Sequence, residues 1–422
     1  MGRTARDNRD RPHPRPVEKI QLPEGNVGRR LIAAAILLLI GGAGLAYAFT
    51  QLMTPESGWQ AIEASTAQGP GCGDELVFLY ELGADGVSPA AENRAISALY
   101  SDTCRTLFQL FHTVESFEGV TNLRDLSLHP NETLTVDGML YRALETVQRS
   151  GDRTIYLGPV YARYGDLFFC QDDVQLTDFD PRLSGDVARE YETLAAWARD
   201  RSAIDLRLLG DNQVCLYVSE DYLAFARREG VERFLDFGWL KNAFVVDALA
   251  ELMIENGFTH GTISSYDGFQ RNLDSRETDY SLSVLDYVDG VICPAAVLRY
   301  RGPRSVVCLQ DYAMDDLDWQ RIYRLENGET RTTYLSPEDG LCRSAAHSLI
   351  AYSDQIGCGE IALGLAPVYV AEELEPGALD GLAREGIQSI YCRDRVIYAT
   401  EPGVTLTNLY EGGGVRYTLA RS

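Results

Sequence analysis

The chain has 422 residues, 45% of them hydrophobic, which is enough for one large folded domain or two ordinary ones. It carries 38 Lys and Arg against 62 Asp and Glu. Residues 1–30 hold 8 of the basic and 4 of the acidic residues, so 30 basic and 58 acidic residues remain beyond residue 30, a net charge of −28. A surface of that sign repels phosphates, which argues against nucleic acid or anionic lipid as a partner of the folded part.

The N-terminal segment predicts a tail followed by a membrane anchor. Residues 1–30 are basic, contain proline and have no apolar face, which is typical of a disordered arm. Residues 31–50 contain the run from Leu31 to Phe49, 19 residues without a charge, which matches a helix long enough to cross the hydrocarbon layer. We therefore predict a single-pass anchor through which the chain contacts the membrane.

The charges beside that run predict its orientation. Arg29 and Arg30 stand directly before it, so the positive-inside rule predicts a cytoplasmic arm and a folded domain outside the cell membrane. The alternative is a cleaved signal peptide, because Ala46–Ala48 resembles a cleavage site, although a leader of 30 residues is long for one.

Nine cysteines lie beyond the predicted anchor, and no two of them form a CxxC pair. The spacing of a cysteine metal site is therefore absent. An oxidising compartment would permit disulfides, and because nine is odd, at least one thiol must stay free or pair between chains. Burial as small hydrophobic side chains is the simplest expectation for most of them.

Residues 51–74 are polar and rich in glycine, which predicts a linker to a folded domain over 75–422. The predicted elements of the first half are a strand at 75–82, a helix after Ser88-Pro89, a short strand at 134–136, a helix capped by Asp137, a strand at 154–164, a helix capped by Ser184 and a hairpin of 203–209 with 214–218.

Two acidic stretches could gather a calcium ion, but neither has the spacing of an EF-hand, so solvated faces are the simpler interpretation. The residues are Asp172, Asp173, Asp178 and Asp180 in one stretch and Asp315, Asp316 and Asp318 in the other.

The most informative stretch is 236–257, DFGWLKNAFVVDALAELMIENG. It predicts a strand end, a tight turn at Gly238, a buried helix with apolar residues at helical spacing, and Gly257 just after the last turn. Such a strand-loop-helix junction commonly binds a phosphate or a metal. The remaining predicted elements are strands at 258–266, 291–298, 305–309, 332–335 and 344–352, a helix at 358–370 and a strand pair at 390–400. The strands at 291–298, 305–309 and 332–335 are predicted to extend the same sheet.

Four motifs in the same order resemble those of the FAD:protein FMN transferase (ApbE) family, across roughly residues 75–400. The family's DLGGIAKGYAVD, paired-glycine, HIIDPRTG and ADALATAL motifs are matched by Asp236–Asp247, Ser264–Gly268, Thr333–Gly340 and Cys358–Leu365. Upstream, the stretch 122–147 and the turn Gly158-Pro159 fall where the family has its Asn, helix and Gly-Pro elements. The resemblance implies a single α+β domain of the ApbE type, similar to a T-fold, outside the membrane helix.

The resemblance also implies an enzyme that uses magnesium to move FMN from FAD to a threonine of a partner protein outside the cytoplasm. By position, the cofactor-binding residues would be Asp236, Gly238, Asn242, Asp247, Tyr266, Asp267, Pro337 and Gly340. The positions that match the family's catalytic residues are Thr333 and Lys241. The positions that match its metal-binding residues are Gly359 and Leu363.

Those last positions no longer carry the family's chemistry. Gly359 and Leu363 have no side-chain oxygen for magnesium, and Thr333 cannot serve as a general base near neutral pH. Glu360 is one residue away from the metal position, but one step along a helix turns a side chain by about 100°. We therefore expect a flavin-transferase-like binding or scaffold module that has lost catalysis. The alternative is an active magnesium-dependent transferase with displaced ligands.

Two further hypotheses stay open. Lys241, one of only two lysines in the chain, could bind phosphate in place of the lost magnesium, although a plain surface lysine is the simpler interpretation. The resemblance could also reflect only a shared α+β topology, in which case packed side chains would close the loop from Asp236 to Asn242.

Overall fold

The computed structural model describes residues 56–412 and 415–420, so the predicted arm, anchor and first linker residues lie outside the described part. No helix in the described part is long and apolar enough to cross a membrane. The nine α-helices of these residues are α1 (Pro89–Leu110), α2 (Leu123–Leu128), α3 (Gly138–Ser150), α4 (Gly158–Tyr164), α5 (Gly185–Arg199), α6 (Glu220–Glu229), α7 (Lys241–Glu255), α8 (Cys358–Tyr369) and α9 (Pro376–Arg384).

The strands of the described part form one large sheet and several small ones. They are β1 (Gly58–Ile62), β2 (Leu76–Leu82), β3 (Thr133–Thr135), β4 (Ile204–Gly210), β5 (Gln213–Val218), β6 (Gly261–Ser265), β7 (Phe269–Asn272), β8 (Asp279–Val288), β9 (Val291–Arg301), β10 (Arg304–Gln310), β11 (Ile322–Arg324), β12 (Thr330–Thr332), β13 (Ser348–Ser353), β14 (Gln388–Arg393), β15 (Val396–Ala399), β16 (Leu406–Thr407), β17 (Glu411–Gly412), β18 (Val415–Arg416) and β19 (Thr418–Leu419).

The large sheet has nine strands in the order β1-β2-β6-β7-β10-β13-β14-β15-β19. All neighbours in it are antiparallel except β15 and β19. The smaller sheets are β16-β9-β8, β3-β5-β4, β11-β12 and β17-β18. The architecture is therefore a mixed α+β fold, as the sequence predicted.

Both faces of the large sheet are covered by other elements, because its strands carry apolar side chains on both faces. Successive side chains of a strand point to opposite faces, and in β10 Val306 belongs to one core cluster while Val307 belongs to the other. Ile350 and Ala351 divide in the same way in β13. Helices α7 and α8 pack on one face, and β8 packs on the other. Strands covered on both sides read as continuous apolar runs without alternation.

Three predictions about elements are wrong. The predicted linker at 51–74 contains β1, an edge strand paired with β2, and a 3-10 helix at Cys72–Glu75. Residues 154–164 form a 3-10 turn and α4, because Pro159 fits the first turn of a helix and Tyr156 and Tyr164 are buried by tertiary packing. Residues 291–298 belong to the separate sheet that covers the large one.

Two further predictions are wrong: residues 231–237, before Gly238, form no strand, and of residues 332–335 only Thr332 lies in a named strand, β12, outside the large sheet. The other predicted elements are present, with shifted ends. The cap predicted at Asp137 accepts a hydrogen bond from the Met139 amide at 2.7 Å. The cap at Ser184 accepts one from the Val187 amide at 3.5 Å. Helices α2, α6 and α9 and strands β7 and β8 were not predicted.

Candidate functional site

The loop before α7 opens onto a cavity of about 390 Å³. Its walls come from the C-terminal part of α1, the segment 72–75, the start of α7 and the turns around residues 266 and 320. Seven predicted site residues line this cavity, namely Asp236, Gly238, Lys241, Asn242, Tyr266, Asp267 and Thr333. Three segments that are far apart in the sequence therefore meet at one place, as the motif order implied.

Gly238 makes the turn that shapes the floor of the cavity. Its φ of +53° lies in the left-handed region that favours glycine. The Asp236 carboxylate fixes the turn by accepting a hydrogen bond from the Gly238 amide at 2.8 Å. A Cβ at position 238 would lie 2.2 Å from Cζ of Tyr161, so glycine is needed for space as well as for conformation.

Lys241 is held by a carboxylate of the cavity wall. Its ammonium group donates to both carboxylate oxygens of Glu75, at 2.9 and 2.7 Å. Burial lowers the pKa of Lys241, but the Glu75 carboxylate raises it by more, and the net pKa lies above the ordinary value. The positive charge is thus already balanced, which disfavours the hypothesis that Lys241 takes the place of magnesium at a phosphate.

Four buried polar atoms of the cavity have no hydrogen-bond partner within the described residues. They are Tyr161 Oη, Trp239 Nε1, Asn242 Oδ1 and Asp267 Oδ1. Asn242 and Asp267 are joined through their other atoms, since Asn242 Nδ2 donates to Asp267 Oδ2 at 3.1 Å. Burial raises the pKa of Asp267. Because buried polar atoms are nearly always satisfied, two donors and two acceptors left open around one cavity indicate room for a polar ligand.

Aromatic rings and one arginine complete the lining. Trp239 packs edge-on against Tyr334 at 5.3 Å between ring centroids. Arg321 is almost fully buried and donates to Asp318 at 2.7 Å from Nε, while its Nη1 lies 3.4 Å from the Tyr334 hydroxyl. The cavity therefore offers flat apolar surfaces beside a guanidinium group, which suits an aromatic ring system that carries polar or anionic substituents.

His112 also lines the cavity and is neutral. The amides of Val114 and Glu115 both donate to its Nδ1, at 3.2 and 2.9 Å, which leaves the ring proton on Nε2. Burial lowers the pKa of His112. The Glu115 carboxylate raises it, the charges of Arg233 and Lys241 lower it, and the net pKa lies below the usual value. Sequence reasoning missed His112, Glu75 and Arg321, because none of them belongs to a motif and only the packing of α1 and the two turns brings them to the cavity.

The other predicted site residues lie elsewhere. Asp247 accepts hydrogen bonds from the Cys358 amide at 2.9 Å and the Gly359 amide at 2.8 Å, and from Arg271 at 2.7 Å. It therefore caps the N-terminus of α8. Gly340, with φ of +77°, packs on Tyr191 at the Ser336–Gly340 turn that contains Pro337.

The two positions that match the family's metal ligands lie at the start and in the middle of α8. Gly359 has no side chain, and a Cβ there would lie 2.7 Å from the ring of Phe244. Leu363 is buried in the apolar core. In the described part of the chain no group of three or more His, Cys, Asp and Glu side chains could hold a metal ion. Asp180 and Asp318 of the acidic stretches instead pair with Arg331 and Arg321.

The fold is similar to that of several solved proteins. An ApbE protein from Thermotoga maritima aligns with a TM-score of 0.53 and 12% identity, over 82% of this chain and 96% of that one. The flavin transferase ApbE from Vibrio cholerae aligns with a TM-score of 0.54 and 14% identity, over 80% of this chain and 95% of that one. This chain has an ApbE-like fold. The flavinyl transferase ApbE from Pseudomonas stutzeri aligns with a TM-score of 0.50 and 13% identity, over 85% of this chain and 98% of that one.

No protein-family model matches the sequence, and no curated protein sequence matches it. At 12 to 14% identity, the ApbE-like structures establish the fold and leave the activity to be argued from the site.

Proposed function

We propose that this chain is a membrane-anchored, extracytoplasmic protein that binds a flavin nucleotide in the cavity before α7 and does not transfer FMN. The observation that carries the proposal is a set of four polar atoms, among the aromatic side chains of one cavity, that have no partner in the part of the chain that the structure describes. The ApbE-like fold supports flavin as the ligand class, and the anchor predicted at 31–50 supports the location.

A flavin fits the chemistry of this lining. Its isoalloxazine ring offers donors and acceptors along one edge, which could meet Asn242, Asp267, Tyr161 and Trp239. Its phosphates would need hydrogen-bond donors, and the guanidinium group of Arg321 lines the same cavity with Nη1 3.4 Å from the Tyr334 hydroxyl, although Asp318 already balances its charge. Binding would therefore use stacking and hydrogen bonds, all from residues of this chain.

The loss of transfer rests on the side chains at the positions that match the metal site. Breaking the FAD pyrophosphate develops negative charge, which needs a cation or an equivalent group. Neither Gly359 nor Leu363 can hold a cation, and the ammonium group of Lys241 is bound to Glu75. The residues present thus favour binding without turnover.

The direct test uses the purified full-length protein in detergent with FAD, with and without magnesium. We expect the fluorescence of FAD to change on titration and no AMP to be released. Release of AMP would contradict the loss of catalysis and favour the active transferase. A flat titration would contradict flavin binding altogether.

A pair of tyrosine variants tests where the flavin binds. Tyr161→Phe removes an unpartnered hydroxyl from the cavity, and Tyr222→Phe removes one that lies outside the cavity, where its ring stacks on Trp197 at 4.9 Å. Neither variant should lose stability, because each hydroxyl lacks a partner. Only Tyr161→Phe should weaken FAD binding, by about five- to tenfold for one lost hydrogen bond. Equal affinities of the two variants would place the ligand elsewhere.

A further inference from the structure

Two cysteines meet beside the cavity. Cys72 begins the 3-10 helix that leads into β2, and Cys104 lies on α1. The thiol of Cys72 donates to the backbone carbonyl oxygen of Cys104 at 3.3 Å, and both side chains are buried. A Cβ at Gly71 would lie 3.3 Å from the carbonyl carbon of Cys104, so the two backbones pass each other closely.

The electrostatics of Cys104 agree with a cysteine side chain beside it. The hydrogen bond with Cys72 and the burial of the pair raise the pKa of Cys104 far above its usual range. The close backbones at Gly71 and Cys104, and the Cys72 thiol 3.3 Å from the Cys104 carbonyl oxygen, match the short approach that a disulfide requires. Other cysteines in the described part lie in different surroundings: Cys358, for example, donates to the carbonyl oxygen of Gln270.

We propose that Cys72 and Cys104 form a disulfide when the chain meets a disulfide oxidant, and that this bond joins two walls of the cavity. The thiolate of one cysteine attacks the oxidant, breaks its S–S bond and releases one thiolate. The second cysteine then attacks the mixed disulfide and releases the other. The two cysteines lose two electrons to the oxidant, and their two protons pass to the released thiolates or to solvent.

The bond would act on residues that define the cavity. Cys72 and Glu75 form one wall, and Leu107 and Phe108 of α1, with Phe111 just after it, form the neighbouring wall. Glu75 holds Lys241 at the start of α7, so fixing the segment 72–75 also fixes that ion pair. Because the high pKa of Cys104 makes its thiolate rare, we expect slow oxidation of the folded protein and faster oxidation during folding.

The test refolds the full-length protein with either oxidised or reduced glutathione, alkylates free thiols under denaturing conditions and maps the peptides. We expect a peptide that links Cys72 to Cys104 and, among the nine cysteines, two fewer alkylated thiols after oxidation. The oxidised protein should melt on the order of 5 °C higher than the reduced one, because the bond closes a loop of about 30 residues.

Variants and hydrogen exchange provide the controls. The rise in melting temperature should vanish in Cys72→Ala and Cys104→Ala and persist in Cys215→Ala, another buried cysteine that lies on β5. Amide protection around residues 71–76 and 102–107 should increase on oxidation of the wild type. A full set of reactive thiols after oxidation would overturn the proposal. So would a linkage between other cysteines, such as Cys293 and Cys392, which both lie near Tyr417. None of these readouts depends on flavin binding.

Discussion

Two polar regions lie along α7, and they differ in how their hydrogen bonds are satisfied. Before and within the first turn, from Asp236 to Asn242, polar atoms face a cavity and several lack partners. Two turns later, the Asp247 carboxylate is bound by two backbone amides and by Arg271. The first region is open to a ligand, and the second is closed by the protein itself.

The difference teaches how to separate structure from function in this domain. An unpartnered buried polar group costs folding free energy of about 1–3 kcal/mol, which a ligand can recover when it binds. A satisfied carboxylate at the N-terminus of a helix stabilises the fold without any ligand. Changes in the closed region should therefore act on stability alone, and changes in the open region should also act on flavin binding.

The largest effect is expected from Gly238→Ala, which changes the turn on which the open region is built. The left-handed conformation would cost about 1–2 kcal/mol, and the overlap with Tyr161 about 1–3 kcal/mol more. We expect a loss of roughly 4 kcal/mol in urea unfolding and, in the same variant, weaker FAD binding.

The matched control for that variant is Gly257→Ala, where φ is +81° but open space surrounds the position. It should lose only about 1 kcal/mol, from conformation alone, with unchanged affinity for FAD. Equal losses of stability in the two variants would show that Tyr161 moves aside freely.

Asp247→Ala should give the next largest effect and would test the closed region. The change leaves two amides at the start of α8 and the Arg271 guanidinium without their acceptor. We expect a loss of about 3 kcal/mol in the free energy of unfolding, measured with urea, and an unchanged affinity for FAD in the folded fraction.

Glu251→Ala is the control on the same helix, because Glu251 is half exposed and lies 3.7 Å from Arg142. It should change stability by less than about 0.5 kcal/mol. If magnesium stabilised the wild type but not Asp247→Ala, the closed region would hold a cation, and the contrast between the two regions would fail.

The smallest effect is expected from Asp267→Asn and concerns pH. Burial raises the pKa of Asp267, so protonation stabilises the folded state below the unfolded pKa of about 3.9, and this contribution is lost as pH rises through the folded pKa. At pH 7 the ionised carboxylate therefore destabilises the folded state. We expect Asp267→Asn to be about 1 kcal/mol more stable than the wild type at pH 7, equally stable below about pH 4, and weaker in FAD binding.

Asp339→Asn is the control of opposite sign. Burial raises the pKa of Asp339. Its two hydrogen bonds with Arg343, at 2.7 and 2.6 Å, the one from the Leu341 amide and the charge of Arg343 together lower it, so the net pKa lies below the usual value. The wild-type carboxylate thus stabilises the fold at neutral pH, and this contribution is lost as pH falls through the lowered pKa. Unfolding curves from pH 3 to 8 should show opposite trends for the two variants.

The sequence was most informative where local rules apply. The turn at Gly238, the caps at Asp137 and Ser184 and the hairpin at 203–218 depend on residues within a few positions of one another, and all are present in the structure. The segment 154–164 was misread because its strand-forming residues are placed by burial against distant elements, and packing outweighs intrinsic preference.

By itself, the sequence determined that the chain has an α+β domain with a loop and helix at 236–257. The match of Gly359 and Leu363 to the metal positions of the motif stays a prediction. Only the tertiary structure decided that Asp247 belongs to a helix cap and that Lys241 forms an ion pair with Glu75. It also decided that four polar atoms around one cavity have no hydrogen-bond partner among the described residues. The reason is physical: a helix or a turn is encoded by neighbours in the chain, whereas the partner of a charge or a hydrogen bond is supplied by whichever distant segment packs beside it.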